Sequence, residues 1–248
     1  MMAWRPVYDA AMSTVAVQPF RLPHGHSMLA GDRWTLDSAR GEALILHGGG
    51  SSSSQGFQAL REHLAAEGIA STAFDCIGHG RTGGALADSS LADRVEQVLN
   101  VMDGLALDAG RLTVIGFSMG AYVAAQVSAR RRLAGLGQAI PAAYTPEALP
   151  LPFGPSFAAC IRRPRSWADS DAFEILQAFT GRLLVLSAGA DQVIPAEIPE
   201  RLFEAALRAS WRRHHRVEGA GHQLAEHYAR EPTSQRLAYR QFAALCGA

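Results

Sequence analysis

Ser118 sits at the centre of Gly116-Phe117-Ser118-Met119-Gly120, a G-x-S-x-G run. A serine hydroxyl is a poor nucleophile unless a base stands beside it, and a strained turn that keeps the hydroxyl exposed provides for that. The flanking residues supply such a turn. Leu112, Thr113, Val114 and Ile115 form a short apolar strand pattern before the run, and residues 121–130 form a helix pattern of small side chains after it. In so tight a strand-to-helix corner, a side chain at either glycine collides with the neighbouring strand or helix. The chemistry these residues suit is nucleophilic catalysis by an activated serine.

Other elements must then carry the partners of that serine. Residues 15–22 and 27–36 read as two strands around the turn Pro23-His24-Gly25, an antiparallel hairpin. Ala43-Leu44-Ile45-Leu46 is an all-apolar run, as a strand buried on both faces requires, and it ends in His47-Gly48-Gly49-Gly50. Helix spacing follows over residues 57–66, a strand over 69–74, a glycine-rich loop over 75–84 and a helix over 91–107 with Ser89 or Ser90 as its N-cap. Beyond the serine come a strand over 183–187, a helix over 198–209, a short strand over 214–217 and a closing helix over 237–245. Strands alternating with helices imply a parallel sheet covered on both faces.

One stretch breaks the alternation. Residues 141–180 hold Pro141, Pro146, Pro150, Pro152, Pro155 and Pro164, half of the chain's 12 prolines, with Leu149, Leu151, Phe153 and Phe157 among them. Such a stretch cannot be one long helix. It reads either as a long connection or, since long structureless loops are uncommon, as a small cap over the site.

Composition narrows the classes. The chain has 248 residues, 48% of them hydrophobic, which suits one large domain over residues 15–248 preceded by an extension at 1–14. With 23 basic and 23 acidic residues the formal charge is zero, so neither a nucleic-acid footprint nor a polybasic membrane patch is expected. Cys76, Cys160 and Cys246 are too few and scattered for a disulfide framework or zinc site, and fit reduced thiols in the cytoplasm. The first twelve residues lack the continuous apolar core of a signal peptide. There is no HExxH and no GxxxxGK[ST], and no metal or cofactor is expected.

Five segments in order resemble the α/β-hydrolase family over residues 15–245. They are His47 to Gly50, Asp75-Cys76-Ile77-Gly78-His79-Gly80-Arg81-Thr82, Gly116 to Gly120, Gly189-Ala190-Asp191-Gln192-Val193-Ile194-Pro195 and Gly219-Ala220-Gly221-His222. The resemblance implies a mostly parallel sheet of about eight strands, helices on both faces, a small cap insertion at 141–180, and triad partners in the order serine, acid, histidine. On that order Ser118 is the nucleophile, Asp191 the acid and His222 the base. His227 falls in a helical-looking stretch, and His214 and His215 adjoin arginines at a strand. Asp169 and Asp171 belong to the cap-like region, and Asp75 precedes the nucleophile and reads as organising the turn around His79.

An attacked carbonyl develops an oxyanion that needs two N–H donors. Met119 is one expectation, as the residue after the nucleophile, and Gly49 the other, with Gly48 or Gly50 as alternatives. Gly50, Phe153 and Phe157 are the expected substrate-binding residues, although the apolar side chains of residues 141–180, Phe153 and Phe157 among them, serve equally well as the cap's own small core. The resulting expectation is an esterase-like serine hydrolase acting on a small-molecule acyl substrate through an acyl-enzyme. A thioesterase or acyltransferase uses the same parts, and a ligand-binding member of the fold needs none of them to turn over.

Overall fold

The apolar runs assemble side by side into one eight-stranded sheet in the computed structural model, which describes residues 14–247. The strands are β1 (Ala16–His24), β2 (Ser27–Thr35), β3 (Gly41–Leu46), β4 (Ile69–Asp75), β5 (Leu112–Phe117), β6 (Gly135–Ala139), β7 (Arg182–Ala188) and β8 (Trp211–Val217). Their order across the sheet is β1-β2-β4-β3-β5-β6-β7-β8. Only the β1–β2 and β2–β4 pairings are antiparallel; every pairing from β4 to β8 is parallel. All but the last residue of the extension at 1–14 lies outside the described residues.

Period-two alternation within the inner strands divides the core into two layers. Leu44, Leu46, Val114, Leu183 and Val185 face one side with Leu91, Val95, Tyr122 and Leu202. Ala43, Ile45, Ile115, Leu184 and Leu186 face the other with Leu60, Leu64, Phe242 and Leu245. The first layer is covered by α2 (Leu91–Gly104), α3 (Met119–Arg130) and α6 (Glu197–Ala205), and the second by α1 (Gln58–Ala66), α7 (Leu224–Arg230) and α8 (Pro232–Cys246). Ser90 caps α2, accepting the Asp93 N–H at 3.0 Å.

β6 was not foreseen. Its sequence, Gly-Leu-Gly-Gln-Ala, has no β-branched or aromatic residue, yet all five positions are buried. The sheet selects small residues here: a Cβ on Gly135 would lie 2.6 Å from the Thr113 hydroxyl. Close approach of backbones, which propensity does not register, explains the strand.

Residues 141–180 leave the end of β6 and return at β7. A 3-10 turn at Pro146–Ala148, α4 (Pro155–Ile161) and α5 (Ala172–Ala178) give the segment its own order. It is tied to α2 and α3: Ala92 N–H donates to Leu149 O at 2.9 Å, Phe153 N–H to Ser89 O at 2.9 Å, and the Tyr122 hydroxyl and Gln126 amide to Asp171 Oδ1 at 2.9 and 2.8 Å.

Candidate active site

Three strands deliver Ser118, Asp191 and His222 to the same edge of the sheet, the carboxyl ends of β5, β7 and β8. Ser118 lies between β5 and α3 with φ 52 and ψ −115, a left-handed conformation that a serine adopts only when its surroundings hold it. The surroundings are backbone. A Cβ on Gly116 would come within 2.1 Å of Gly120 O, and one on Gly120 within 2.6 Å of His47 O. The Ser118 N–H donates to Ala139 O at 2.9 Å, and Ser118 O accepts from Ala121 and Ala142 at 3.0 and 3.2 Å. Backbone closes the corner around Ser118 on the sides away from His222.

The Ser118 hydroxyl and His222 Nε2 are 3.1 Å apart, and His222 Nδ1 stands 2.9 Å from Asp191 Oδ2. A carboxylate oxygen accepts, so Nδ1 carries the proton and Nε2 is left as the acceptor for the serine. Asp191 is itself held. Its Oδ1 accepts the N–H groups of Val193 and Ile194 at 2.8 and 2.9 Å, leaving Oδ2 for the imidazole. The two loops are clipped together where Ala190 N–H donates to Ala220 O at 2.8 Å. The Asp191 side chain is only 7% exposed, so little water competes for its charge.

Beside Ser118 runs the loop after β3. The backbone N–H groups of Gly49 and Met119 meet no acceptor among the described residues. Gly48 is buried and Gly50 is exposed, its φ of 65 in the left-handed region that favours glycine. The loop is anchored by two buried histidines. His47 Nδ1 donates to Gly48 O at 2.8 Å while its Nε2 accepts the Cys76 N–H at 3.0 Å, which fixes a neutral tautomer. Burial pushes the His47 imidazole down to about 3, with Arg94 and His79 adding to the effect. His79 donates to Ser52 O at 2.9 Å and is likewise held below its ordinary value, by burial and then by Arg94.

Asp75 is wholly buried, accepting the N–H groups of Ser54 and Arg81 at 2.6 and 2.8 Å, and so joins this loop to the turn around His79. Asp169 accepts from Thr145 at 3.1 Å and Asp171 from Tyr122, so both serve to hold residues 141–180 in place. His214 bonds Ser187 at 2.8 Å, and His227 lies in α7 within 3.3 Å of the Ser234 hydroxyl.

An open cleft of about 900 Å³ meets Ser118 and His222. Gly48 to Ser53, Phe57, Met119, Ile140, Tyr144, Tyr228, Tyr239 and Phe242 are among its walls, and no Asp, Glu, Lys or Arg lines it. Gly50 is at this cleft. Phe153 and Phe157 are not. They are buried, packed edge to face at 5.0 Å, with Phe157 behind Tyr144 at 5.9 Å. Proline-spaced aromatics look alike in sequence whether they line a pocket or back the residue that does. Sequence reasoning also passed over Tyr144 and Ile140. Ile140 carries a φ of 42, unusual for a β-branched residue, at the end of the unforeseen β6.

Known proteins resemble both the sequence and the fold. The sequence pattern of the serine aminopeptidase S33 family matches residues 37–163, spanning the glycine loop and Ser118 but ending before Asp191 and His222. No curated protein matches the sequence. A predicted CIB-like hydrolase from Thermoplasma acidophilum superposes with a TM-score of 0.69 at 16% identity, over 94% of this chain and 100% of that one. Est1E from Butyrivibrio proteoclasticus, solved with ferulic acid bound, gives 0.65 at 18% identity over 88% and 99%. A monoacylglycerol lipase from Paleococcus ferrophilus gives 0.64 at 19% identity over 93% and 99%. At such identities the likeness is one of fold.

Proposed function

The chain belongs to the serine aminopeptidase S33 family of α/β-hydrolase serine hydrolases, and on that premise we propose that it hydrolyses uncharged carboxylic esters through an acyl-enzyme on Ser118. The observation that carries the reading is the Ser118–His222–Asp191 relay opening onto a cleft without charged walls. A substrate with a free amino terminus brings an ammonium group, and burying that group without a carboxylate partner is costly. A neutral ester meets no such penalty. The apolar and aromatic walls suit its acyl or alcohol chain.

In the proposed reaction the Ser118 Oγ bonds to the ester carbon while His222 Nε2 takes its proton. The carbonyl oxygen becomes an oxyanion against the N–H groups of Gly49 and Met119. His222, its cation balanced by Asp191, then gives the proton to the departing alkoxide, and the alcohol leaves. Water adds to the acyl-enzyme by the same route, with His222 as base again, and releases the acid. The three unpaired thiols, two of them buried, fit a cytoplasmic setting. No helix among the described residues is long and apolar enough to cross a membrane.

A panel of p-nitrophenyl esters of graded chain length, set beside aminoacyl p-nitrophenyl esters that carry a free α-amino group on the same leaving group, tests the substrate class. The uncharged esters are expected to give a kcat/KM at least about 100-fold above the aminoacyl compounds, the size of effect an unpaired buried charge produces. Equal values for the two classes would contradict it.

A further inference from the structure

Arg94 is the largest of the fully buried side chains, 1% exposed on α2, and has no carboxylate within 4.0 Å among the described residues. Its Nη1 donates to Gly48 O at 3.1 Å and its Nη2 to His79 Nε2, while its guanidinium lies 4.9 Å from the Phe153 ring centre. The Nε finds no acceptor. A buried, unpaired, permanently charged group is a liability to the fold. A neutral amide would bridge a carbonyl and an imidazole at lower cost.

We propose that Arg94 is a positioning residue for the oxyanion site, acting through the Gly48–Gly49 peptide. This rests on the ester-hydrolase reading above. In a trans peptide the C=O and the following N–H point in opposite directions. Drawing Gly48 O toward Arg94 and the His47 Nδ1 therefore turns the Gly49 N–H away from them, toward Ser118 and the cleft. The same bond polarises the peptide. A cation on the carbonyl draws electron density through the amide and strengthens the N–H as a donor. His79, held by Arg94 on one nitrogen and donating to Ser52 O with the other, carries the same constraint to the far end of the glycine loop. The benefit is largest when negative charge develops on the substrate oxygen, so it belongs to the transition state rather than to substrate binding.

Arg94→Gln keeps a donor and removes the charge, whereas Arg94→Lys keeps the charge on a different donor. Both are to be assayed with p-nitrophenyl butyrate and with an alkyl trifluoromethyl ketone, which forms a tetrahedral oxyanion adduct with an active serine. Arg94→Gln should lower kcat about 10- to 100-fold with KM within about twofold, somewhat less than deleting a direct donor costs. The ketone inhibition constant should rise by the same factor, and Arg94→Lys should recover part of both. Unchanged kcat in Arg94→Gln overturns the proposal, as does a fall in kcat that leaves ketone affinity untouched. Loss of folding in both variants assigns Arg94 to the core and overturns it too. A wild-type protein that turns over no ester and binds no ketone fails the ester-hydrolase reading first, and the assignment of Arg94 with it.

Discussion

The loop after β3 and the segment between β6 and β7 emerge at the same end of the sheet, but they are held there by different forces. Residues 47–54 are pinned by directional bonds: His47 and Arg94 on Gly48 O, His79 on Ser52 O, Asp75 on the Ser54 N–H. Residues 141–180 are held mainly by apolar packing of Phe153, Phe157, Phe173 and Leu176, with a few tethers to α2 and α3. Aiming a backbone N–H at a point requires fixed peptide planes, which polar anchors supply. Shaping one wall of a cleft requires only volume. The first region should therefore respond to substitution in rate, and the second in stability and selectivity.

The sharpest break lies at His222, the proposed base. His222→Ala should reduce kcat by about 10⁴- to 10⁶-fold while leaving the melting temperature nearly unchanged, because a triad acts as a unit. Steady-state kinetics with thermal unfolding checks both halves, and a loss below about 100-fold would remove His222 from the chemistry.

Glycines separate the two regions next. Gly116→Ala puts a methyl within 2.1 Å of Gly120 O, whereas Gly154, at the start of α4, has nothing within 4 Å. The first change should cost about 4 kcal/mol or more, since the Gly120–Ala121 backbone that the methyl meets cannot yield, and the second no more than about 1 kcal/mol. Denaturant unfolding measures the difference. Similar costs at both sites would mean that the turn at Ser118 is as slack as the insertion.

A third contrast lies within the insertion itself. Phe157→Ala should destabilise by about 3 kcal/mol as a core truncation. Tyr144→Ala, at the cleft wall, should instead shift chain-length preference in kcat/KM by roughly 1–3 kcal/mol across the ester series. Should Phe157→Ala change the chain-length profile more than Tyr144→Ala does, Phe157 rather than Tyr144 meets the substrate.

Acid provides the gentlest probe. Folding depresses the His47 titration from its ordinary value to about 3, so protons bind the unfolded chain more readily. The stability tied to neutral His47 is complete above about pH 6.5 and is lost as pH falls toward 3, at about 1.4 kcal/mol per unit. His79, shifted the same way, adds to the slope. Melting temperature against pH should fall less steeply in His47→Gln than in the unaltered chain. Parallel curves would show that His47 is not buried in its neutral form.

The same contrast explains what could be read from the sequence. Where geometry demands a special residue type, the residue announces itself: Gly116 and Gly120 at the corner, Asp191 and His222 in glycine-flanked loops, Asp75 at the end of β4. Alternating or continuous apolar runs revealed seven of the eight strands. β6 escaped because Gly135 and Gly137 are needed for close approach to Thr113 and Ile115, a tertiary demand without a local pattern. Helix α4 was hidden among prolines, α5 was too short, at seven residues, to show a clear period, and Arg94 lay inside an ordinary amphipathic helix, where an arginine signals a solvated face. Packing partners and pocket walls share one alphabet, so Phe153 and Phe157 could not be told from Tyr144.

Every proposed step at the site needs Ser118 to be an activated nucleophile, and a fluorophosphonate probe tests that without knowledge of the substrate. The reagent phosphonylates a serine that has both a base and an oxyanion site. Intact protein should gain one adduct, peptide mass spectrometry should place it on Ser118, and Ser118→Ala should abolish it while remaining folded. An adduct that persists in Ser118→Ala, or that maps to another serine, would contradict the assignment on which the rest depends.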